Sequence, residues 1–233
     1  MSQVSDHFND IAEEYDYFKK RNKFYYDNLK SLLKKIIPTN KIVLEIGCGT
    51  GDLLAYLKPK KGYGYDISGE MIKIAKSKYG SKKNLRFSTN LPLLKPLIIN
   101  HKQSLSLRDQ SLDFVFMSDV IEHLEQPGKM FKDISRVMID KTKLVITMAN
   151  PIWEPGLVLW EKLSWKMREG PHRRLRFDEI GKLLEKFNLK IETHDYFLLI
   201  PVKIPFFTDF ANKYLEKVFK KYAFIEYIVA TKL

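Results

Sequence analysis

Three observations predict an α/β fold with a doubly wound, mostly parallel sheet. Short apolar runs alternate with stretches of helical periodicity as far as residue 150, an order that places helices on both faces of a parallel sheet. The first apolar run ends in the turn Gly47-Cys48-Gly49-Thr50-Gly51 and leads directly into a helical stretch. Beyond residue 150 the order changes to two helical stretches followed by two strands.

The elements follow in order. Residues 8–37 read as helical, because Phe8, Ile11, Ala12, Tyr15 and Phe18, then Tyr25, Leu29, Leu32, Leu33 and Ile36, recur at steps of three and four. Pro38 and Asn40 end that pattern, and residues 41–46 form a short run suited to a strand buried on both faces. A helix is expected over 52–57, a strand over 61–65, and a helix over 68–79 with Ser68 as its N-cap and Met71, Ile72 and Ala75 on one face. A strand is expected within 85–100; despite Pro92 and Pro96 it is placed at 97–100. Then come a strand at 113–117, a helix at 127–137 with Pro127 in its first turn, and a strand at 143–148. Helices at 157–167 and 177–186 and strands at 190–199 and 225–232 complete the chain.

Composition narrows the classes. With 233 residues, 45% hydrophobic and 29% charged, the chain can bury a core and is not a disordered segment. The net charge of +12 permits an acidic substrate, nucleic acid or an anionic membrane surface as partner, without choosing among them. Cys48 is the single cysteine, which excludes an internal disulfide and a cysteine-based zinc site. The opening MSQVSDHFND has no basic start followed by an apolar stretch, and no apolar run approaches the ~20 residues that span a bilayer, so a cytoplasmic protein without a transmembrane segment is expected.

The glycine turn is the most informative feature. A strand entering Gly-x-Gly-x-Gly lets a ligand approach the backbone closely, and the following helix aims N–H groups at it. Asp66 closes the next strand, where a carboxylate can accept both hydroxyls of a ribose. No Gly-Lys-Ser/Thr is present, which disfavours a nucleotide triphosphatase, and Asp52 stands where a G-x-G-x-x-G dinucleotide site needs glycine.

Glu45, the glycines at 47, 49 and 51, Asp66 and the later run LDFVFMSDVIEHL together resemble the class I (Rossmann-like) S-adenosylmethionine-dependent methyltransferases. The opening HFNDIAEEYD and the segment from His172 resemble the subgroup of ubiquinone- and menaquinone-type and small-molecule enzymes, so the likeness covers nearly the whole chain. The resemblance implies a seven-stranded sheet with its last strand antiparallel, an N-terminal helical lid over 1–40, a cofactor-binding half over 41–150 and a substrate side over 151–233, in one domain. It implies that S-adenosylmethionine lies against Gly47, Cys48, Gly49 and Gly51, with Glu45 buttressing the loop. Asp66 would hold the ribose, Ile67 and Met71 would pack near adenine, and Ser118 would lie beside the methionine part. The family's acidic residue at the end of the third strand, which binds the adenine amino group, falls near His101 by counting back from Leu112; either His101 or backbone groups take that role, or the proline-containing stretch 91–96 shifts the alignment.

Methyl transfer from a sulfonium needs alignment and a dry site, with a base where the nucleophile must lose a proton. Asp119, Glu122 and His123, spaced i, i+3, i+4, would share one face if helical and are the catalytic candidates. A divalent metal on these three, as in relatives that methylate catechol-like hydroxyls, is the less favoured reading, and holding the loop is the plainer one. His172, Arg173, Arg174 and Arg176 could meet a phosphate or carboxylate, or could form a solvated basic turn. Tyr15, a candidate substrate contact, could close with Tyr17, Tyr25 and Tyr26 over cofactor or substrate, although core packing is the more frequent role of aromatics at helical spacing.

The acceptor read from this is an oxygen on a small or amphiphilic, lipid-like metabolite, since 153–176 and 196–224 mix Trp, Phe and Leu with cations. The same mixture is compatible with peripheral contact with a membrane. RNA or protein methylation is the alternative. DNA is disfavoured because Asn150-Pro151-Ile152-Trp153 follows the fifth strand rather than the fourth and the lone cysteine lies in the glycine loop. A cofactor-binding protein without transfer activity is the remaining alternative.

Overall fold

The structure is a computed structural model that describes residues 2–90, 112–168 and 170–233. It begins with three helices, α1 (Gln3–Asp10), α2 (Ala12–Arg21) and α3 (Lys23–Ile36). There follow β1 (Ile42–Ile46), α4 (Asp52–Tyr56), β2 (Lys61–Tyr65), α5 (Gly69–Tyr79), β3 (Leu85–Ser88), β4 (Phe114–Ser118), α6 (Pro127–Val137) and β5 (Lys143–Ala149). The chain ends with α7 (Glu154–Lys162), α8 (Phe177–Lys186), β6 (Leu189–Phe197), α9 (Phe207–Phe210) and β7 (Ile225–Lys232).

The strands form one seven-stranded sheet in the order β3-β2-β1-β4-β5-β7-β6. β1 to β5 pair in parallel, and β7 runs antiparallel to both β5 and β6. Because side chains alternate along a strand, neighbouring residues enter opposite layers. Val43, Phe114, Phe116 and Val145 pack with Leu29, Leu32 and Leu33 of α3, Ile72 of α5 and Leu157 of α7. Leu44, Ile46, Val115, Met117 and Ile146 pack with Phe131 and Ile134 of α6 and Ile180 and Leu184 of α8. Burial on both faces explains why these strands read as continuous apolar runs. The chain departs to one side after β1 and to the other after β4, so a crevice opens between the carboxyl ends of these adjacent strands.

Three expectations change. The helical pattern over 8–37 belongs to three helices, with breaks at Ile11 and Asn22. At Asn22 the backbone leaves helical geometry (φ −96°, ψ 31°), and its side-chain amide donates to the Phe18 carbonyl. The third strand is Leu85–Ser88, whose Leu85 and Phe87 are buried in register with Gly62 and Gly64; 97–100 and His101 lie outside the described residues. α7 begins at Glu154 instead of Leu157, with Pro155 in its first turn, and the turns around α9 were not anticipated.

Candidate functional site

The crevice is shaped by the loop after β1. Gly47 has φ +70°, and a Cβ there would collide with the Val120 side chain; Gly49 has φ +48°, and its Cβ would stand 3.2 Å from the Tyr15 ring. Both features favour glycine. Glu45, buried in β1, accepts a hydrogen bond at Oε2 from the Leu54 N–H (3.1 Å) and so satisfies a donor in the first turn of α4. Burial raises its pKa well above the usual carboxyl value. Asp66, after β2, accepts from the Gly49 N–H at Oδ2 (2.7 Å) and from the Ser68 N–H at Oδ1 (2.9 Å). Burial raises its pKa against the effect of these donors. With the Ile67 N–H as a third backbone donor, about one lone pair of the carboxylate is left for a further donor. Ser68 caps α5 as expected, accepting from the Met71 N–H at 3.1 Å.

A cleft of about 340 Å³ runs beside this loop. Gly47, Gly49, Asp66, Ile67, Met71 and Ser118 line it, whereas Glu45, Cys48 and Gly51 do not. They support the loop from within: Cys48 is buried, and burial pushes its thiol pKa up. The N-terminal helices close over the cleft. Asn9 Oδ1 of α1 accepts from Ser68 Oγ (2.8 Å) and the Glu70 N–H (3.3 Å). From α2, Lys19 donates to Thr50 Oγ1 (2.6 Å) and pairs with Asp52, while Asp16 accepts from Thr50 Oγ1 and Lys78 Nζ (both 2.6 Å). These cations, with Tyr79, hold the Asp52 carboxyl well below its usual pKa, outweighing its partial burial. This latch between α2 and the glycine loop was not expected from the sequence, because Lys19 and Lys78 look like ordinary surface lysines.

A second cavity, of about 140 Å³, adjoins the first, and Phe8, Tyr15, Asp119 and His123 line both. Its remaining wall includes Tyr25, Tyr26, Trp160, Lys166 and Arg174. The three residues expected on one helical face are arranged differently. Only Ile121–His123 form a helical turn, of 3-10 type, and Asp119 precedes it in the left-handed region at φ 53°. Asp119 Oδ2 accepts from the Tyr25 hydroxyl at 2.6 Å. Its Oδ1 is buried and unpartnered, as are Ser118 Oγ, Glu122 Oε2 and Thr147 Oγ1, among the described residues. Burial, with the nearby Glu122 charge, pushes the Asp119 carboxyl up to about 6.

Glu122 Oε1 accepts from Arg174 Nη1 at 3.0 Å, and Arg174 also pairs with Glu154. Among the described residues no group of three or more His, Cys, Asp or Glu is placed to hold a metal ion. His123 Nδ1 lies 3.2 Å from the Pro171 carbonyl. A carbonyl only accepts, so Nδ1 carries the proton and the Nε2 lone pair is left for another donor. Burial lowers the ring's pKa to about 4.

The basic cluster divides. Arg174 faces the second cavity with Tyr15, whereas His172 and Arg173 lie outside its lining. Arg173 and Arg176 are largely exposed and pair with Glu179 and Asp178 respectively. The sequence reading missed Lys166, whose pKa burial and Arg174 push down to about 8; no spacing marks it within Trp165-Lys166-Met167-Arg168.

Comparison with known proteins gives three kinds of match. The sequence model described as "Methyltransferase domain" matches residues 17–194. An uncharacterised protein of Methanocaldococcus jannaschii, MJ1123, is 34% identical over 170 residues, covering 73% of this chain and 70% of that one. A malonyl-[acyl-carrier protein] O-methyltransferase of Marinomonas sp. is 28% identical over 142 residues, covering 58% of this chain and 47% of that one. Among solved structures, a SAM-dependent methyltransferase of Thermotoga maritima has a TM-score of 0.68 at 18% identity, covering 99% of this chain and 100% of that one.

The half-buried ring of His123, held by the Pro171 carbonyl, makes a prediction. Its ring is expected to titrate near pH 4 rather than 6.5. As pH falls, the unfolded chain therefore takes up this proton first, and the histidine's contribution to stability, complete above about 6.5, is lost on the way down to about 4. An NMR titration of the ring resonances, with His123→Gln used to assign the signal, reads the midpoint directly; a value near 6.5 would contradict this arrangement.

Proposed function

The chain belongs to the methyltransferase domain family as a class I S-adenosylmethionine-dependent enzyme, and from that premise we propose that it methylates an oxygen of a small or amphiphilic metabolite. The observation that carries this reading is the common wall of Phe8, Tyr15, Asp119 and His123 between the two cavities. One cavity suits the methyl donor and the other the acceptor, so the reacting groups would meet at that wall.

The donor cleft fits S-adenosylmethionine. The remaining acceptor capacity of Asp66 suits a ribose hydroxyl, and Gly47 and Gly49 present bare backbone. Ile67 and Met71 offer an apolar surface to adenine, and the unpartnered Ser118 Oγ and Asp119 Oδ1 lie at the ends of β4 and the loop after it. When bound, S-adenosylmethionine supplies a methyl group already activated by its sulfonium. The protein then has to align the acceptor, exclude water and accept a proton.

Asp119 is the better proton acceptor of the two candidates. Its carboxyl is pushed up to about 6 and its Oδ1 is unpartnered, and a base works best when its pKa lies near the working pH. His123, held neutral with Nε2 available, orients the acceptor by accepting a hydrogen bond from a donor group other than the hydroxyl that loses its proton. Glu122 is committed to Arg174 and positions the wall. Tyr15 excludes water at the junction, and Arg174 brings positive charge to the acceptor side.

The O-methyltransferase among the relatives supports oxygen as the nucleophile. The Trp160, Tyr25 and Tyr26 wall supports an acceptor with apolar bulk.

Two variants test the assignment. Asp66→Ala removes a charged acceptor and is expected to weaken S-adenosylhomocysteine binding roughly 10- to 100-fold by calorimetry, with unchanged affinity counting against the ribose site. Asp119→Asn keeps an acceptor for Tyr25 but removes the base. It is expected to lower labelled-methyl transfer into cell extract by about 100- to 10,000-fold. The wild-type rate should rise with pH through about 6 and level off above it; a flat profile would exclude Asp119 as the base.

A further inference from the structure

The segment between β6 and β7 carries a surface that the proposed chemistry does not use. Residues 202–222 leave the sheet and return to it, and they expose Val202, Ile204, Phe206, Phe207, Phe210, Tyr214, Val218, Phe219 and Tyr222. Phe206 is 93% exposed and Val218 is 74% exposed. Nine large apolar side chains exposed within one segment of 21 residues are more than scattered surface hydrophobics, and such concentration marks an interaction site. Phe206 is unusual in a second respect. Its backbone lies in the left-handed region at φ 62°, where a bulky side chain is strained. The turn at Phe206 thus directs a large aromatic ring into solvent at a cost in backbone strain as well as in hydration.

Exposed lysines alternate with these side chains along the segment. Lys203, Lys213, Lys217, Lys220 and Lys221 are exposed in the same segment, against the acids Asp209 and Glu216. Lys203 pairs with Asp209 and Lys220 with Asp195. Exposed aromatic and aliphatic groups interleaved with lysines match the interfacial zone of an anionic bilayer, where rings enter the headgroup layer and ammonium groups meet lipid phosphates. A second copy docked symmetrically on this face would set the same lysines against one another.

The surface is continuous with the acceptor cavity. Pro201 and Val202 line that cavity together with Trp160 and Met167. The Trp153 indole N–H donates to the Tyr222 carbonyl at 2.9 Å, fixing the start of α7 to the end of the excursion. α7 and the turn after it expose Leu159, Leu163 and Trp165 next to this junction. Among the described residues no helix is long and apolar enough to cross a membrane.

We propose that residues 202–222, with the exposed end of α7, dock this protein onto an anionic lipid surface and bring the acceptor cavity against the headgroup layer. This goes beyond the methyl-transfer reading. Docking itself is independent of that chemistry, and only the consequence that a lipid-like acceptor enters from the bilayer rests on it.

Co-sedimentation of the full chain with vesicles tests the proposal. Binding is expected to vesicles of equal parts phosphatidylglycerol and phosphatidylcholine, to fall at high salt, and to be weak with phosphatidylcholine alone. The variant Phe206→Ser/Phe207→Ser/Phe210→Ser is expected to abolish sedimentation while keeping wild-type S-adenosylhomocysteine affinity, which shows that it is folded. Replacing Lys213, Lys217 and Lys221 by Ala is expected to weaken vesicle binding by about fivefold per lysine.

The proposal is overturned if the wild type does not bind anionic vesicles, or if the phenylalanine variant binds them equally well. It is also overturned if the face instead forms a dimer that the same variant disperses and that ignores lipid. Vesicle binding by a protein that does not bind S-adenosylhomocysteine would leave the docking intact and remove the cofactor assignment instead.

Discussion

The hydrogen bond from the Gly49 N–H to Asp66 Oδ2, at 2.7 Å, ties the loop after β1 to the end of β2, and the site is built outward from it. The loop must fold back tightly to make this contact, which requires left-handed backbone and the absence of a Cβ facing Val120 and Tyr15. Once the loop is set, α4 starts over the buried Glu45, whose carboxylate supplies the partner for the Leu54 N–H. The same loop presents Thr50 and Asp52 to Asp16, Lys19 and Lys78, so the position of the N-terminal helices depends on it as well. A carboxylate with three backbone donors is a structural tie that still has room to accept from a further hydroxyl.

At the other side of the crevice the structure tolerates unfavourable features. Asp119 combines a left-handed backbone with a buried oxygen that is unpartnered among the described residues, and Glu122 has such an oxygen of its own. Buried polar atoms without partners are costly, and their concentration where the two cavities meet is what a site prepared for a polar ligand looks like. Arg174, bonded to Glu122 and paired with Glu154, offsets the accumulated negative charge and brings the segment after Pro171 against the turn at Ile121–His123. His123 is in turn oriented by the Pro171 carbonyl. The substrate side therefore depends on residues some fifty positions further along the chain, which no local motif announces.

The parts legible in the sequence were those governed by local rules. Strands buried on both faces appear as continuous apolar runs, glycine is required where φ is positive and a Cβ would clash, and Ser68 caps a helix within three residues of itself. These sufficed for the parallel sheet, the loop and the position of Asp66. The third strand was misplaced because the four-residue Leu85-Arg86-Phe87-Ser88 is a weaker signal than the long apolar run after it. The helical periodicity of 8–37 persisted through two breaks, since each short helix still buries one face. The arrangement of Asp119, Glu122 and His123 could not be read from spacing, because a single left-handed residue redirects the chain before the turn. Lys166 and the Lys19–Asp52 pair were invisible for a related reason: their significance arises from tertiary burial and not from their neighbours in sequence.

The central claim is that this chain carries a methyl group from S-adenosylmethionine to a small or amphiphilic acceptor held between Tyr15, Asp119 and His123. Its most direct test is to incubate the protein with S-adenosylmethionine labelled in the methyl group and a cell extract, then to separate lipid, small-molecule, nucleic-acid and protein fractions. Protein-dependent label in the lipid or small-molecule fraction is the predicted result. Label confined to RNA or protein, or no label above a control lacking the enzyme, would contradict it.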